Sequence, residues 1–252
     1  EPFVAGFRSD VDRLPFATPA SQIEDRLRDG NETACVVVEP IAGREGILVP
    51  PEGWLTDLSE ICRQRGVLLV ADEIFTGCGR TGRWFAVDHE AVRPDILCCG
   101  KALGGGLPIA AVIARRDLMA VWDRPGEALH TGTFVANPLS CAAALATLDV
   151  LRTARLPRRA QRLGRQVASR LHDWPDRFDA VTATRGRGLV WGVELTDSGT
   201  AHRLATSLLR AGVLALAGGP DGRVLQLMPP LVISERQLST ALKIVETSLD
   251  GM

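Results

Sequence analysis

Four short apolar runs, none alternating with polar residues, most constrain what this chain can fold into. They are residues 34–38 (Ala-Cys-Val-Val-Val), 67–71 (Val-Leu-Leu-Val-Ala), 96–99 (Ile-Leu-Cys-Cys) and 109–114. Unalternated runs of this length suit strands buried on both faces, as in parallel sheets. Between them, Trp54, Leu55, Leu58, Ile61 and Cys62 keep helical spacing, and Gly66 supplies the stop. The alternation of strand, helix and strand points to an α/β layer architecture.

Further along, Asn137-Pro138 reads as a helix cap followed by proline in the first turn. The helix it opens runs from Leu139 to about Thr153 and is apolar or small nearly all round, which predicts burial. The character then changes. Leu156, Ala160, Leu163, Val167 and Leu171 form one apolar stripe, and Arg158, Arg159, Arg162, Arg165 and Arg170 crowd the remainder. A basic stripe can touch nucleic acid, but a solvated helix face is the preferred reading. Shorter elements are expected at residues 181–184, 189–195, 202–210, 213–216 and 224–227. Ser234-Glu235-Arg236-Gln237 has the capping-box pattern that opens a last helix. The change of character places a domain boundary near residue 153, giving parts 1–153 and 154–252.

The chain has 252 residues, 46% hydrophobic and 23% charged, enough for a sizeable core and unlike a disordered chain. Its 29 basic and 30 acidic residues nearly cancel, which argues against a protein built mainly for nucleic acid or an anionic membrane. No apolar run reaches the length of a membrane span. The six cysteines form no double CxxC pattern and read as buried, reduced thiols of a cytoplasmic protein. The four histidines are scattered, so no metal site is expected.

Of the 29 basic residues only Lys101 and Lys243 are lysines. Where arginine replaces lysine almost everywhere, a surviving lysine is a candidate for what arginine cannot do: serve as a neutral amine nucleophile. Lys101 follows the third apolar run, and Asp72 follows the second. In open α/β sheets ligands bind at the carboxyl ends of the strands. Two readings of this pair stand. One is a plain ion pair. The other is a pyridoxal phosphate site, where the lysine joins the cofactor aldehyde as a Schiff base. There the carboxylate keeps the pyridine nitrogen protonated, making the ring an electron sink. Gly77-Cys78-Gly79-Arg80-Thr81-Gly82 matches GxGxxG, but residues 72–76 separate it from the strand and no convincing helix follows. It reads as a glycine-rich connection beside a site, and Gly104-Gly105-Gly106 as a turn.

Several motifs occur in one consistent order. They are Glu39-Pro40-Ile41-Ala42-Gly43, Ala71-Asp72-Glu73-Ile74-Phe75-Thr76-Gly77, Gly79-Arg80-Thr81-Gly82, Pro94-Asp95-Ile96, Gly100-Lys101-Ala102-Leu103-Gly104-Gly105-Gly106, Thr131-Gly132-Thr133 with Asn137-Pro138, Arg187-Gly188-Leu189 and Met228-Pro229-Pro230-Leu231. With them the chain resembles the class III aminotransferases of the ornithine, acetylornithine and 4-aminobutyrate type. The resemblance implies a fold-type-I α/β transferase, with a mostly parallel large-domain sheet flanked by helices and a small C-terminal α/β domain. It implies pyridoxal 5′-phosphate as cofactor and amino-group transfer from an ω-amine or amino acid to an oxo acid such as 2-oxoglutarate. By resemblance, Lys101 is the Schiff-base lysine and proton shuttle, Asp72 partners the pyridine nitrogen, and Ile74 packs on the ring. Thr133 would contact the cofactor phosphate of a neighbouring subunit, implying a homodimer with shared sites. Glu39 would lie on the substrate side.

The sequence departs from that family in ways that bear on function. Phe75 stands where many members carry the glutamine that bonds the cofactor's phenolic oxygen. Gln226 stands where many use an arginine to clamp a substrate carboxylate, and glutamine is the weaker, uncharged partner. Arg44 stands where ornithine-type members carry glutamate. Two readings follow for Arg44: it replaces the missing clamp charge, or it is a solvent-facing loop charge. The phosphate-binding loop and stacking aromatic that members carry upstream of Pro2-Phe3 are absent from the sequence, so a C-terminal portion of such an enzyme is expected. Two other functions fit the same residues: an aminomutase or other pyridoxal chemistry, and a catalytically silent subunit.

Overall fold

The computed structural model describes residues 11–28, 33–122 and 132–252. In chain order the elements are α1 (Ala20–Arg28), β1 (Cys35–Val38), α2 (Trp54–Arg65), β2 (Leu68–Asp72), β3 (Ile96–Cys99), β4 (Ala111–Ala114), α3 (Arg116–Met119), α4 (Pro138–Thr153), α5 (Leu156–Leu171), α6 (Trp174–Arg177), β5 (Val181–Arg187), β6 (Val190–Leu195), α7 (Ser198–Arg210), β7 (Leu216–Gly218), β8 (Val224–Leu227) and α8 (Glu235–Asp250).

The first four strands form one sheet in the order β1-β2-β3-β4. β1, β2 and β3 run parallel, with Val38 opposite Ala71 and Asp72 opposite Cys98. The helix between β1 and β2 forms as its spacing predicts. Trp54, Leu55, Leu58 and Cys62 are buried, and Gly66 ends it at φ 68°, a left-handed conformation that glycine adopts without strain.

The fourth run departs from expectation. β4 pairs antiparallel with β3, Cys98 opposite Val112. A parallel return needs a crossover of a dozen or more residues, usually helical. Residues 100–110 hold only a 3-10 turn and a glycine bend, so the strand folds straight back. Nor are the outer strands buried on both faces: Val37, Val112 and Ile113 are exposed. α4 differs in the same way. Asn137 caps it, its Oδ1 accepting from Leu139 N at 3.0 Å and Ser140 N at 3.3 Å. Yet only Ser140, Ala144 and Leu151 are buried, and Leu139, Leu145 and Val150 face outward. An all-apolar helix is buried only where protein meets every side of it, and here one side is uncovered.

The remaining strands form an antiparallel sheet, β5-β6-β8-β7. The apolar stripe of α5 is buried throughout: Ala160, Leu163, Val167 and Leu171 pack in the core of this sheet, and Leu156 packs with Cys99, Leu103, Ala144 and Leu151 on the side of the first sheet. Ser234 and Gln237 form the expected capping box of α8, with Gln237 N donating to Ser234 Oγ at 3.1 Å and Ser234 N to Gln237 Oε1 at 3.0 Å. The strand expected at residues 213–216 lies instead at Leu216–Gly218. Val213 N donates to Leu208 O at 2.8 Å, closing the end of α7, so that amide is spent on the helix stop.

A joint connects the two sheets, and the glycine-rich GxGxxG segment is part of it. Arg80 Nη1 donates to Leu189 O at 3.1 Å and Pro229 O at 2.6 Å, and Leu189 N returns a bond to Arg80 O at 3.0 Å. Gly188, at φ 59°, lies so close that a Cβ there would come within 2.3 Å of the Thr81 carbonyl carbon. All six cysteines are free thiols. Cys62, Cys78 and Cys99 are buried, whereas Cys35 is exposed and Cys98 and Cys141 are half-buried, so burial holds for half of them. Among the described residues no helix is long and apolar enough to cross a membrane.

Candidate active site

Parallel pairing of β1, β2 and β3 brings their carboxyl ends to one rim. Glu39 follows β1, Asp72 closes β2, and Lys101 stands just beyond β3. This is the edge where open α/β sheets hold ligands. Asp72 Oδ1 accepts from Ile74 N at 3.0 Å, an Asx-type turn that fixes the carboxylate at the strand end. Neighbouring residues on a strand point to opposite faces, and Glu73 accordingly turns inward. It is fully buried, with Oε1 accepting from Val87 N at 2.8 Å and Oε2 accepting from the Thr76 hydroxyl. Burial pushes its carboxyl above the usual carboxylate range, and the Thr76 hydroxyl and the amides of Ala86 and Val87 pull it back down. Glu73 braces the turn that carries Asp72 to Phe75. Sequence reasoning passed over it, although an acidic pair at a strand end, one member per face, was a usable signal.

Lys101 opens a 3-10 turn, Lys101–Gly104, anchored by buried Leu103. Its φ is 41°, a left-handed conformation uncommon outside glycine, and its side chain is exposed. Backbone strain of this kind collects at functional positions. Lys101 Nζ lies 5.2 Å from the centroid of the Phe75 ring, within cation–π reach. The ring packs against Ile41, Ile47 and Val190, and its other neighbour is Gly43, where a Cβ would come 2.7 Å from Phe75 Cδ1. Only glycine leaves room for Phe75 there.

The Glu39–Gly43 loop is held from both sides. Glu39 Oε2 accepts from Gly43 N at 3.0 Å, and Gln226 Nε2 on β8 lies 3.5 Å from Gly43 O. Arg185 Nε donates to Gly46 O at 3.0 Å while its guanidinium also pairs with Glu194. Asp72, Ile74, Phe75 and Lys101 therefore share one rim, with the Glu39 loop and Gln226 linked to it through Gly43. Arg44 is exposed on that loop. Thr133 is exposed in the turn before α4, and no contact joins it to the rim among the described residues. Thr131, of the same motif, lies outside the described residues. Gly105 and Gly106, at φ 58° and 114°, form the expected turn.

The family profile described as "Aminotransferase class-III" matches residues 14–249. The chain belongs to the class III aminotransferases. Solved structures agree. Acetylornithine aminotransferase from Elizabethkingia anophelis is 40% identical at a TM-score of 0.89, over 96% of this chain and 60% of that one. An ornithine aminotransferase from Toxoplasma gondii is 38% identical at a TM-score of 0.88, over 95% of this chain and 55% of that one; its structure has partial occupancy of pyridoxal phosphate at the active site. An S-selective transaminase from Arthrobacter sp. is 25% identical at a TM-score of 0.83. This class III chain thus spans little more than half the length of the relatives it matches, and its fold is that of the fold-type-I transferases. The family's cofactor is pyridoxal 5′-phosphate, and the donor set on the rim suits it: an accessible amine, a carboxylate held at the strand end and an apolar side chain, Ile74, between them in sequence.

Proposed function

We propose that this chain carries the central catalytic groups of an enzyme that uses pyridoxal 5′-phosphate to move an amino group. The donor is an ω-amine or amino acid and the acceptor an oxo acid such as 2-oxoglutarate. The observation that carries this reading is the placement of Lys101 and Asp72 on one rim of a parallel sheet in a class III chain. When bound, the cofactor supplies an aldehyde and an electron-withdrawing ring.

In this reading Lys101 holds the cofactor through Nζ and moves protons to and from the substrate carbon. Asp72, pinned by Ile74 N, faces the ring nitrogen with an anionic oxygen and keeps it protonated. Ile74 covers one face. Phe75 offers a ring face to the Lys101 ammonium and no hydrogen bond to the phenolic oxygen. Glu39, Arg44 and Gln226, gathered on or against the Gly43 loop, bind the substrate, with Arg44 meeting its carboxylate. Thr133 reaches the phosphate of a second subunit, so the site is shared across a homodimer. The outward apolar side of α4 supports that interface. The separate closed sheet after α4 supports a boundary near residue 153, with part of the cofactor-binding domain before it and a small C-terminal domain after it. The free cysteines fit a cytoplasmic protein.

The test combines trapping with turnover. Borohydride reduction with pyridoxal phosphate should add the cofactor's mass to Lys101. Lys101→Ala should lower transfer to 2-oxoglutarate by roughly a thousandfold or more. Label elsewhere, or a Lys101→Ala variant of undiminished activity, overturns the proposal. Turnover that does not need the oxo acid would redirect it to an aminomutase.

A further inference from the structure

A groove of about 730 Å³ runs beside the joint, between residues 82–88 and α5. Among the described residues, six guanidinium groups line it, from Arg83, Arg152, Arg155, Arg158, Arg162 and Arg165, against a single carboxylate, Asp88. The chain as a whole carries a net charge of −1, so this is a local concentration of positive charge. Two of the six are neutralised: Arg152 by Asp149 at 2.7 Å and Arg162 by Glu235 at 2.8 Å. Arg83, Arg155, Arg158 and Arg165 have no ion pair among the described residues. Asp88 Oδ2 is engaged by Phe85 N at 3.0 Å. Arg158, Arg162 and Arg165 follow helical spacing along one face of α5, where like charges repel. A solvated face needs no aromatic, yet Trp84 also lines the groove and is 37% exposed.

Two chemistries meet here. Guanidinium forks match phosphate oxygens bidentately, and an open indole face stacks on a heterocyclic base. The volume lies within the usual range for small-molecule sites. None of the residues assigned to amino-group transfer lines the groove. We propose that this groove binds a nucleoside polyphosphate, its phosphates on Arg155, Arg158 and Arg165 and its base on Trp84. The walls come from either side of the joint held by Arg80 and Gly188, so the bound ligand also fastens the two sheets together.

The test is calorimetric titration of the full chain with ATP and with inorganic tripolyphosphate, in saturating pyridoxal phosphate so that the cofactor's own phosphate site is filled. ATP should bind with one site per chain and roughly tenfold more tightly than tripolyphosphate, the margin expected of one stacked base. Arg158→Glu combined with Arg165→Glu should weaken both by roughly a hundredfold. Trp84→Leu should erase the advantage of ATP and leave tripolyphosphate binding unchanged. Arg26→Glu with Arg93→Glu makes the same change in net charge at exposed positions outside the groove and should leave both affinities nearly intact. Circular dichroism confirms that each variant is folded. The proposal is overturned by absence of saturable binding at millimolar concentrations, by an equal loss in the control pair, or by duplex DNA or RNA binding more tightly than ATP.

Discussion

The two sheets use apolar residues to opposite ends. Around β5–β8 the apolar surface closes on itself: Leu163, Leu171, Leu195, Leu204, Leu208 and Leu225 have no exposed surface, and α5, α7 and α8 seal the core. Around β1–β4, α2 seals one cluster, but Val37, Val112 and Ile113 on the outer strands remain open, as do Leu139, Leu145 and Val150 on α4. Runs of comparable hydrophobicity thus become core in one region and surface in the other. Hydrophobicity fixes that a face will be covered; it does not fix whether the cover lies within the same chain.

The sharpest way to break this contrast is to cut one leucine from each region. Leu204→Ala empties a site inside the closed core and should lower stability by about 2–5 kcal/mol, the transfer term plus the cavity left behind. Leu145→Ala, at a position 70% exposed, should change it by less than about 0.5 kcal/mol in the isolated chain. Urea denaturation of both variants measures the difference. Equal losses would mean that α4 is covered in solution and that the regions do not differ.

Local pattern made much of the fold legible. The stripe of α5, the Asn137 cap, the capping box at Ser234 and the Gly66 stop depend on residues within a few positions of each other, and all form as their spacing dictates. What escaped depends on distant partners. The direction of β4 follows from the short connection before it, and the exposure of α4 from what surrounds it. The late start of β7 follows from an amide taken by the end of α7. The same division holds at the site. The rim that Asp72 and Lys101 share was readable because each follows an apolar run that becomes a strand of the parallel sheet. The cradle of Gly43 around Phe75, the bracing by Glu73 and the meeting of Gln226 with the Gly43 loop join residues far apart in sequence.

A smaller effect should appear at the joint, where the two regions meet. His89 Nε2 lies 3.1 Å from Thr81 O and 3.2 Å from Thr81 Oγ1. Burial, and then the positive charge of Arg187, push its imidazole down to about 4; Arg83 acts in the same direction and Asp88 against it. In the unfolded chain histidine titrates near ~6.5. The unfolded state therefore takes up the proton first as pH falls, and stability is lost from about pH 6.5 down to about pH 4. Denaturation midpoints at pH 7.5, 6 and 5 should show the decline, and His89→Gln should flatten it. Carboxylates held low by arginine, such as Glu246 beside Arg170, act in a more acidic window, whereas the raised carboxyl of buried Glu73 opposes the decline within this one, so the His89 share is the difference in slope between the unaltered chain and His89→Gln. An unchanged slope in His89→Gln would show that the joint is insensitive to this proton.

The smallest effect on stability should accompany the largest effect on association. Leu145→Asp places a charge on the open side of α4, where the leucine has little contact to lose, so the melting temperature of the dilute chain should hardly move. In the proposed homodimer the same position is desolvated, and a buried, unpaired carboxylate is costly. Sedimentation velocity across a concentration series should therefore show the unaltered chain associating and Leu145→Asp remaining monomeric. If the unaltered chain stays monomeric throughout, or the aspartate variant associates as strongly, the open side of α4 is not the contact between copies. The difference between the two regions would then need another cover than a second copy of this chain.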